Sequence, residues 1–254
     1  MELATTTYAR RPDLVDAAEE LIGAGWPAFM SADPVEVEHW HHLADLVPEL
    51  QIMVVDQERD LPVAVGNSVP FEWDGLDASL PDDGWDAALT AGIRTAAAGT
   101  TTAAACALAI TVDPAVRGQV LSRRALRSLR GAAAERGCDD LVGPLRPTGK
   151  ADHPHMAMAD YLAWEDAPGR SHDPWLRVHR EIGATVARIC PRSMTVPGTL
   201  GEWEAWTGMR FSRTGPHVVP HALVPVEIDV ERGTGHYVEP NVWVRHRLSA
   251  DDVV

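Results

Sequence analysis

Apolar positions recur at helical spacing near the start of the chain. Leu14, Ala17, Ala18, Leu21 and Ile22 share one face, with Pro12 fitting a first turn and Gly23 or Gly25 a stop, so residues 13–23 predict an amphipathic helix. A second helix is predicted to start at Asp33-Pro34, with Val37, Trp40, Leu43, Ala44 and Val47 on one face and Pro48 at its end. Ile52 to Val55 is continuously apolar and reads as a buried strand. After the polar turn 57–60, residues 61–73 read as another strand, bent or at a sheet edge because of Pro62, Gly66 and Pro70.

The middle of the chain carries the sharpest pattern. A helix over 85–98 precedes a long apolar strand, 100–112, which ends at Asp113-Pro114. A tight glycine-containing loop leads into an arginine-rich helix, 121–136, and Asp139 to Leu145 forms the next strand. Residues 148–171 are irregular, with a short helix around 157–164, and a segment of that length suggests a lid or binding loop. Asp173-Pro174 is a helix start, and the pattern carries that helix to Arg188. A strand at 189–196, a short helix at 200–207 and two strands at 218–230 and 236–244, paired through Glu231 to Gly235, complete the chain. This order predicts an α/β fold with a mixed sheet, and no repeat or linker divides it.

Composition narrows the function. The 254 residues carry a net charge of −15, which argues against nucleic acid or an anionic membrane as the main partner. Cys106, Cys138 and Cys190 are too sparse for a disulfide framework or a zinc site. His39, His41 and His42 lack a Glu or Cys at metal spacing, so no metal is expected there. The first eleven residues lack an apolar core and the longest apolar run is too short for a bilayer, so a cytoplasmic protein is expected. Against this acidic background, residues 117–136 hold six arginines and one acid. Arginines at a helix start, where backbone N–H groups and the helix dipole converge, suit an anionic ligand.

Two stretches resemble the GNAT N-acetyltransferase superfamily. In the first, Val112-Asp113-Pro114-Ala115-Val116-Arg117-Gly118-Gln119-Val120-Leu121-Ser122 is similar to the Val-x-Pro step and Arg/Gln-x-x-Gly-x-Gly/Ala loop with which that family binds the CoA pyrophosphate. Val112, Pro114, Arg117, Gly118 and Leu121 match, while Val120 and Ser122 depart. A β-branched residue suits a close phosphate approach poorly, so Val120 bears on cofactor affinity. In the second, Asp173 to Ala184 is similar to the family's Asn-x-x-Ala-x-x-x-Tyr-x-x-x-Gly-Phe segment, with Asp173 at the asparagine and His179 at the tyrosine that commonly protonates the departing thiolate. Coverage runs over about residues 13–196, and 197–254 is a C-terminal β extension of the single domain.

The resemblance implies a GNAT-like mixed central sheet flanked by helices. It implies acetyl-CoA or another acyl-CoA as co-substrate, and transfer of its acyl group to the amine of a small molecule. Ile110, Thr111 and Val112 would hold the pantetheine arm, and Arg117 to Arg123 (Arg117, Gly118, Gln119, Val120, Leu121, Ser122 and Arg123) the phosphates, with Asp173 also at the cofactor. His179 would be the proton donor, with a histidine packed on an amphipathic helix as its bland alternative. Glu72, Asp160, His153 and His155 are the candidate bases. Trp164 and Trp175 flank the irregular segment and would line a substrate pocket. The competing expectations are a degenerate GNAT-like binding or regulatory protein, and other thioester chemistry on the same scaffold. Exchange of the tail strands 218–244 between two copies makes a homodimer a further expectation.

Overall fold

The computed structural model describes residues 2–116 and 119–252. Its centre is a nine-stranded mixed sheet built from β1 (Leu3–Thr7), β2 (Gln51–Asp56), β3 (Leu61–Phe71), β4 (Ala104–Val112), β5 (Asp140–Leu145), β8 (Thr185–Thr199), β9 (Gly215–His217), β10 (Val226–Asp229) and β11 (Thr234–Arg247). A two-stranded ribbon, β6 (Glu165–Ala167) and β7 (Arg170–Ser171), stands apart. The order across the main sheet is β1-β2-β3-β4-β5-β11-β10-β9, with β8 on the other side of β11. Every pairing in it is antiparallel except β4 with β5.

Helices cover both faces of the sheet, which is why β2 is buried along its whole length. α1 (Val15–Gly25) and α4 (Gly84–Ala97) pack on one face. There Met53, Val55, Val65 and Val69 meet Ala18, Ile22, Ala88 and Leu89. α5 (Gln119–Glu135) covers the other face. Ile52 and Val54, which alternate with Met53 and Val55, face it. Leu121, Ala125, Leu126, Leu129 and Ala133 are its buried stripe, at spacings of three and four that place them on one side of a helix. Gly137, at φ +80°, ends it in a left-handed turn. The shorter helices are α2 (Pro34–His39), α3 (Leu43–Leu46), α6 (Met158–Ala163), α7 (Pro174–Glu181) and α8 (Leu200–Thr207). No described helix is long and apolar enough to cross a membrane.

Several elements differ from the sequence pattern for identifiable reasons. Residues 3–7 form an edge strand on β2, although Leu-Ala-Thr-Thr-Thr shows no apolar alternation. β3 is central and not an edge, since Pro62 sits at a register shift against β2 and Pro70 opposes Ala105 of β4. The helix from Pro174 stops at Glu181. Gly183 takes φ +88°, and residues 185–188 pair with Arg245, Val244 and Trp243 of β11. β10 and β11 form the expected hairpin, but the tail does more. β11 occupies the sheet position beside β5, with Val242 to Arg247 against Leu145 to Asp140.

Candidate active site

The parallel strands β4 and β5 run together for three residue pairs, the last being Cys106 with Val142, and then part. Pro144 follows on β5 and has no N–H to offer a neighbouring strand. From Ala107 to Val112 the β5-facing edge of β4 therefore has no strand partner among the described residues. A second irregularity lies on the same strand. Asn67 pairs Ala109 while Ser68 pairs Ala107, so Leu108 is the extra residue of a β-bulge. Its carbonyl accepts a hydrogen bond from Trp85 Nε1 at 3.0 Å.

The gap opens into a cavity of about 610 Å³. β4 contributes residues 107–112, β5 contributes Gly143 to Leu145, and Arg146 follows. Ser122 and Leu126 of α5, Trp175, Val178 and His179 of α7, Trp26 beyond α1, and Glu239 and Asn241 of β11 complete most of the wall. Gly143 keeps the neck open, because a Cβ there would stand only 3.0 Å from the Ala107 carbonyl oxygen.

Of the residues expected at a cofactor, Ile110, Thr111, Val112 and Ser122 line this cavity. Arg117 and Gly118 lie outside the described residues, as does the side chain of Gln119. Val120 is 74% exposed in the first turn of α5, and Leu121 is buried in the core. Arg123 pairs with Glu181 at the end of α7. The arginine cluster is largely consumed within the protein. Arg124 bonds Thr5 and the Leu3 carbonyl of β1, Arg130 pairs with Asp252 at 2.7 Å, and Arg136 pairs with Glu49. The local charge contrast is thus answered by groups from distant parts of the chain.

Asp173 does not face the cavity. It is fully buried and accepts four hydrogen bonds, from Trp175 N and Leu176 N at Oδ1 and from Gly149 N and Tyr161 Oη at Oδ2. Its carboxylate caps α7 and ties that helix to the loop after β5, which leaves nothing for a cofactor. Trp164 is also elsewhere. It stacks on His172 with ring centroids 3.6 Å apart and is not part of the cavity wall, whereas Trp175 is. None of Glu72, Asp160, His153 and His155 lines the cavity.

His179 is buried in the wall, with Trp175 edge-on at 4.4 Å between ring centroids. Its Nδ1 lies 2.9 Å from Nε2 of His246, whose Nδ1 lies 3.2 Å from Arg130. Burial, then the neighbouring His246, holds the His179 pKa well below the ordinary histidine value. Burial, then the Arg130 charge, pushes His246 down to about 4. On the opposite wall Arg146 donates to both oxygens of buried Glu239 at 3.0 Å and to the carbonyl of His221. Tyr237 Oη and Asn241 Nδ2 donate to the same carboxylate at 2.8 and 2.9 Å. His221 has φ +71°, an unusual value for a residue with a side chain.

A curated relative, the arginine N-acetyltransferase avaD of Aspergillus versicolor, is 36% identical to this chain over 271 residues, covering 95% of it and 93% of the relative. The chain belongs to the GNAT N-acetyltransferase superfamily. It is an acyltransferase, as its N-acetyltransferase relative supports. No family model matches the chain. Solved structures of the same fold include the loading GNATL domain of CurA from Lyngbya majuscula, with a TM-score of 0.60 and 16% identity over 97% of this chain and 96% of that one. The GphF GNAT-like decarboxylase in complex with isobutyryl-CoA gives a TM-score of 0.56 and 20% identity over 98% of this chain and all of that one. At these identities the two structures speak for the GNAT fold alone.

Proposed function

We propose that this GNAT protein transfers the acyl group of an acyl-CoA to the amine of a small molecule in the cavity between β4 and β5. The observation that carries the reading is the unpaired edge of β4. Backbone N–H and C=O groups there must find partners, and the amides of a pantetheine arm supply them as an additional strand would. The phosphates then lie toward the start of α5, where the helix dipole favours negative charge. Val120 belongs to that end, and Trp175 and His179 to the thioester end.

Acyl transfer joins the amine nitrogen to the acyl carbon, breaks the C–S bond and leaves the electron pair on sulfur. N–H donors near the thioester oxygen stabilise the charge that develops before the bond breaks. The free β4 amides and His179 are the donors of this site. Arg146 presents a cation to the acceptor side of the cavity, held in place by Glu239. Glu239 is bonded through Nε and the His221 carbonyl through Nη2, so Nη1 is the Arg146 donor left to a second carboxylate, and an amino acid suits this wall. The relative's name makes arginine the first acceptor to try. The reading is tested by incubating the protein with acetyl-CoA and a panel of amines, including arginine, arginine amide and agmatine, with free thiol and acylated product followed together. Arginine should exceed agmatine, which lacks the carboxylate. Thiol release without any acylated amine would overturn the proposal.

A further inference from the structure

The hydrogen-bond chain behind His179 has a direction. Arg130 holds only donors, so the His246 Nδ1 that faces its Nη1 at 3.2 Å must carry a lone pair. The proton of the His246 ring is therefore on Nε2. That N–H faces His179 Nδ1 at 2.9 Å, which must in turn accept. The His179 proton is left on Nε2, a buried atom with no hydrogen-bond partner among the described residues. Neither ring can gain a second proton without setting two donors against each other. A proton on His179 Nδ1 would face His246 Nε2–H, and one on His246 Nδ1 would face Arg130.

Arg130 is itself fixed. Its guanidinium is held by Asp252 at 2.8 and 3.0 Å and by the Ile182 carbonyl at 2.7 Å, just beyond α7. The charged groups behind the histidine pair are thus Arg130 and, beyond it, Asp252. Burial, which lowers the pKa of both rings, acts in the same direction as the geometry.

We propose that Arg130 and His246 are positioning residues that lock His179 as the neutral Nε2–H tautomer, making it a hydrogen-bond donor to the thioester and excluding it as the base. This rests on the reading of the cavity as the acyl-transfer site. It refines the proton-donor role, because a neutral imidazole that gave up its Nε2 proton would become an imidazolate. Instead His179 keeps its proton and binds the developing negative charge. The proton lost by the attacking amine reaches the departing sulfur through solvent, so the step balances without a protein acid.

The full-length protein labelled with ¹⁵N-histidine tests the tautomer directly. The expected spectrum has His179 protonated at Nε2 and bare at Nδ1, and neutral at about pH 7. A proton on Nδ1, or a cation at neutral pH, would overturn the proposal without any variant being made. Kinetics test the consequence. His246→Leu should lower kcat on the order of tenfold to a hundredfold, the scale of a weakened transition-state donor, with KM for acetyl-CoA unchanged. His246→Gln, which offers a carbonyl to Arg130 and an amide N–H to His179, should restore most of the rate. An unchanged kcat in a folded His246→Leu, or no rescue by glutamine, would refute the positioning role. If acetyl-CoA fails to bind the parent protein, the reading of the cavity falls, and the spectrum still reports the tautomer.

Discussion

Replacing Asp173 by alanine separates a structural role from a cofactor role. The carboxylate is fully buried and accepts four hydrogen bonds, two from the first turn of α7, one from Gly149 N and one from Tyr161 Oη. Each donor left without a partner costs about 1 kcal/mol, or more where water cannot reach it, and loss of an N-cap alone costs about 1 kcal/mol. The sum is about 4 kcal/mol, a large share of the roughly 5–15 kcal/mol that keeps a domain folded. For a chain of this size it corresponds to a fall in Tm of roughly 8–16 °C. Urea denaturation of the parent, Asp173→Ala and Asp173→Ser provides the assay. Serine can still cap the helix but cannot reach the Gly149 and Tyr161 donors, so it should recover about a quarter to a half of the loss. A stable Asp173→Ala protein, within about 1 kcal/mol of the parent but with acetyl-CoA binding weakened tenfold, would refute the structural assignment.

Three further outcomes follow from other parts of the molecule. Burial, then the Asp33 charge, raises the Asp86 pKa to about 8, and such a carboxyl holds in the folded state a proton that the unfolded chain releases above its ordinary value of 3.8. Folded stability therefore falls as pH rises from about 4 toward 8. Asp86→Asn should melt above the parent at pH 8 and level with it near pH 4, and parallel Tm–pH curves would contradict this. Arg146→Met leaves the buried Glu239 without its cation and should cost about 3 kcal/mol, part of which Arg146→Met/Glu239→Leu regains. A strictly additive double variant in urea denaturation would show that the pair is not coupled. Val120→Gly lies in an exposed first turn, so it should cost no more than about 1 kcal/mol in a urea melt and tighten acetyl-CoA binding in calorimetry. Weaker binding would mean that the loop takes another path.

Local patterns carried much of the fold. The apolar stripe of α5 and the long run of β4 are visible because both are set by spacing along the chain. The Asp-Pro start of α7 is visible for the same reason, and it is the capping chemistry that Asp173 serves. What stayed hidden depends on distant partners. No local signal says that Glu181, Asp252 and Thr5 arrive to engage the arginines of α5, or Glu49 the Arg136 just beyond it. β11 enters the sheet beside β5 by long-range pairing, about a hundred residues downstream. His246 has a faint signature: it continues the buried alternation Val242, Val244, His246 on β11, and a histidine in an apolar series requires a partner. That partner is His179, 67 residues away in sequence.

The proposed acyl transfer depends on an acyl-CoA occupying the gap between β4 and β5. Ala107 stands at the neck of that gap, on the cavity wall and beside Gly143. Calorimetric titration of acetyl-CoA into the parent and into Ala107→Phe tests the claim, with a melting curve confirming that the variant folds. Saturable binding to the parent and at least roughly tenfold weaker binding to the variant, a loss of about 1.4 kcal/mol, are predicted. No heat from the parent at millimolar ligand, or equal affinity in the folded variant, would contradict it.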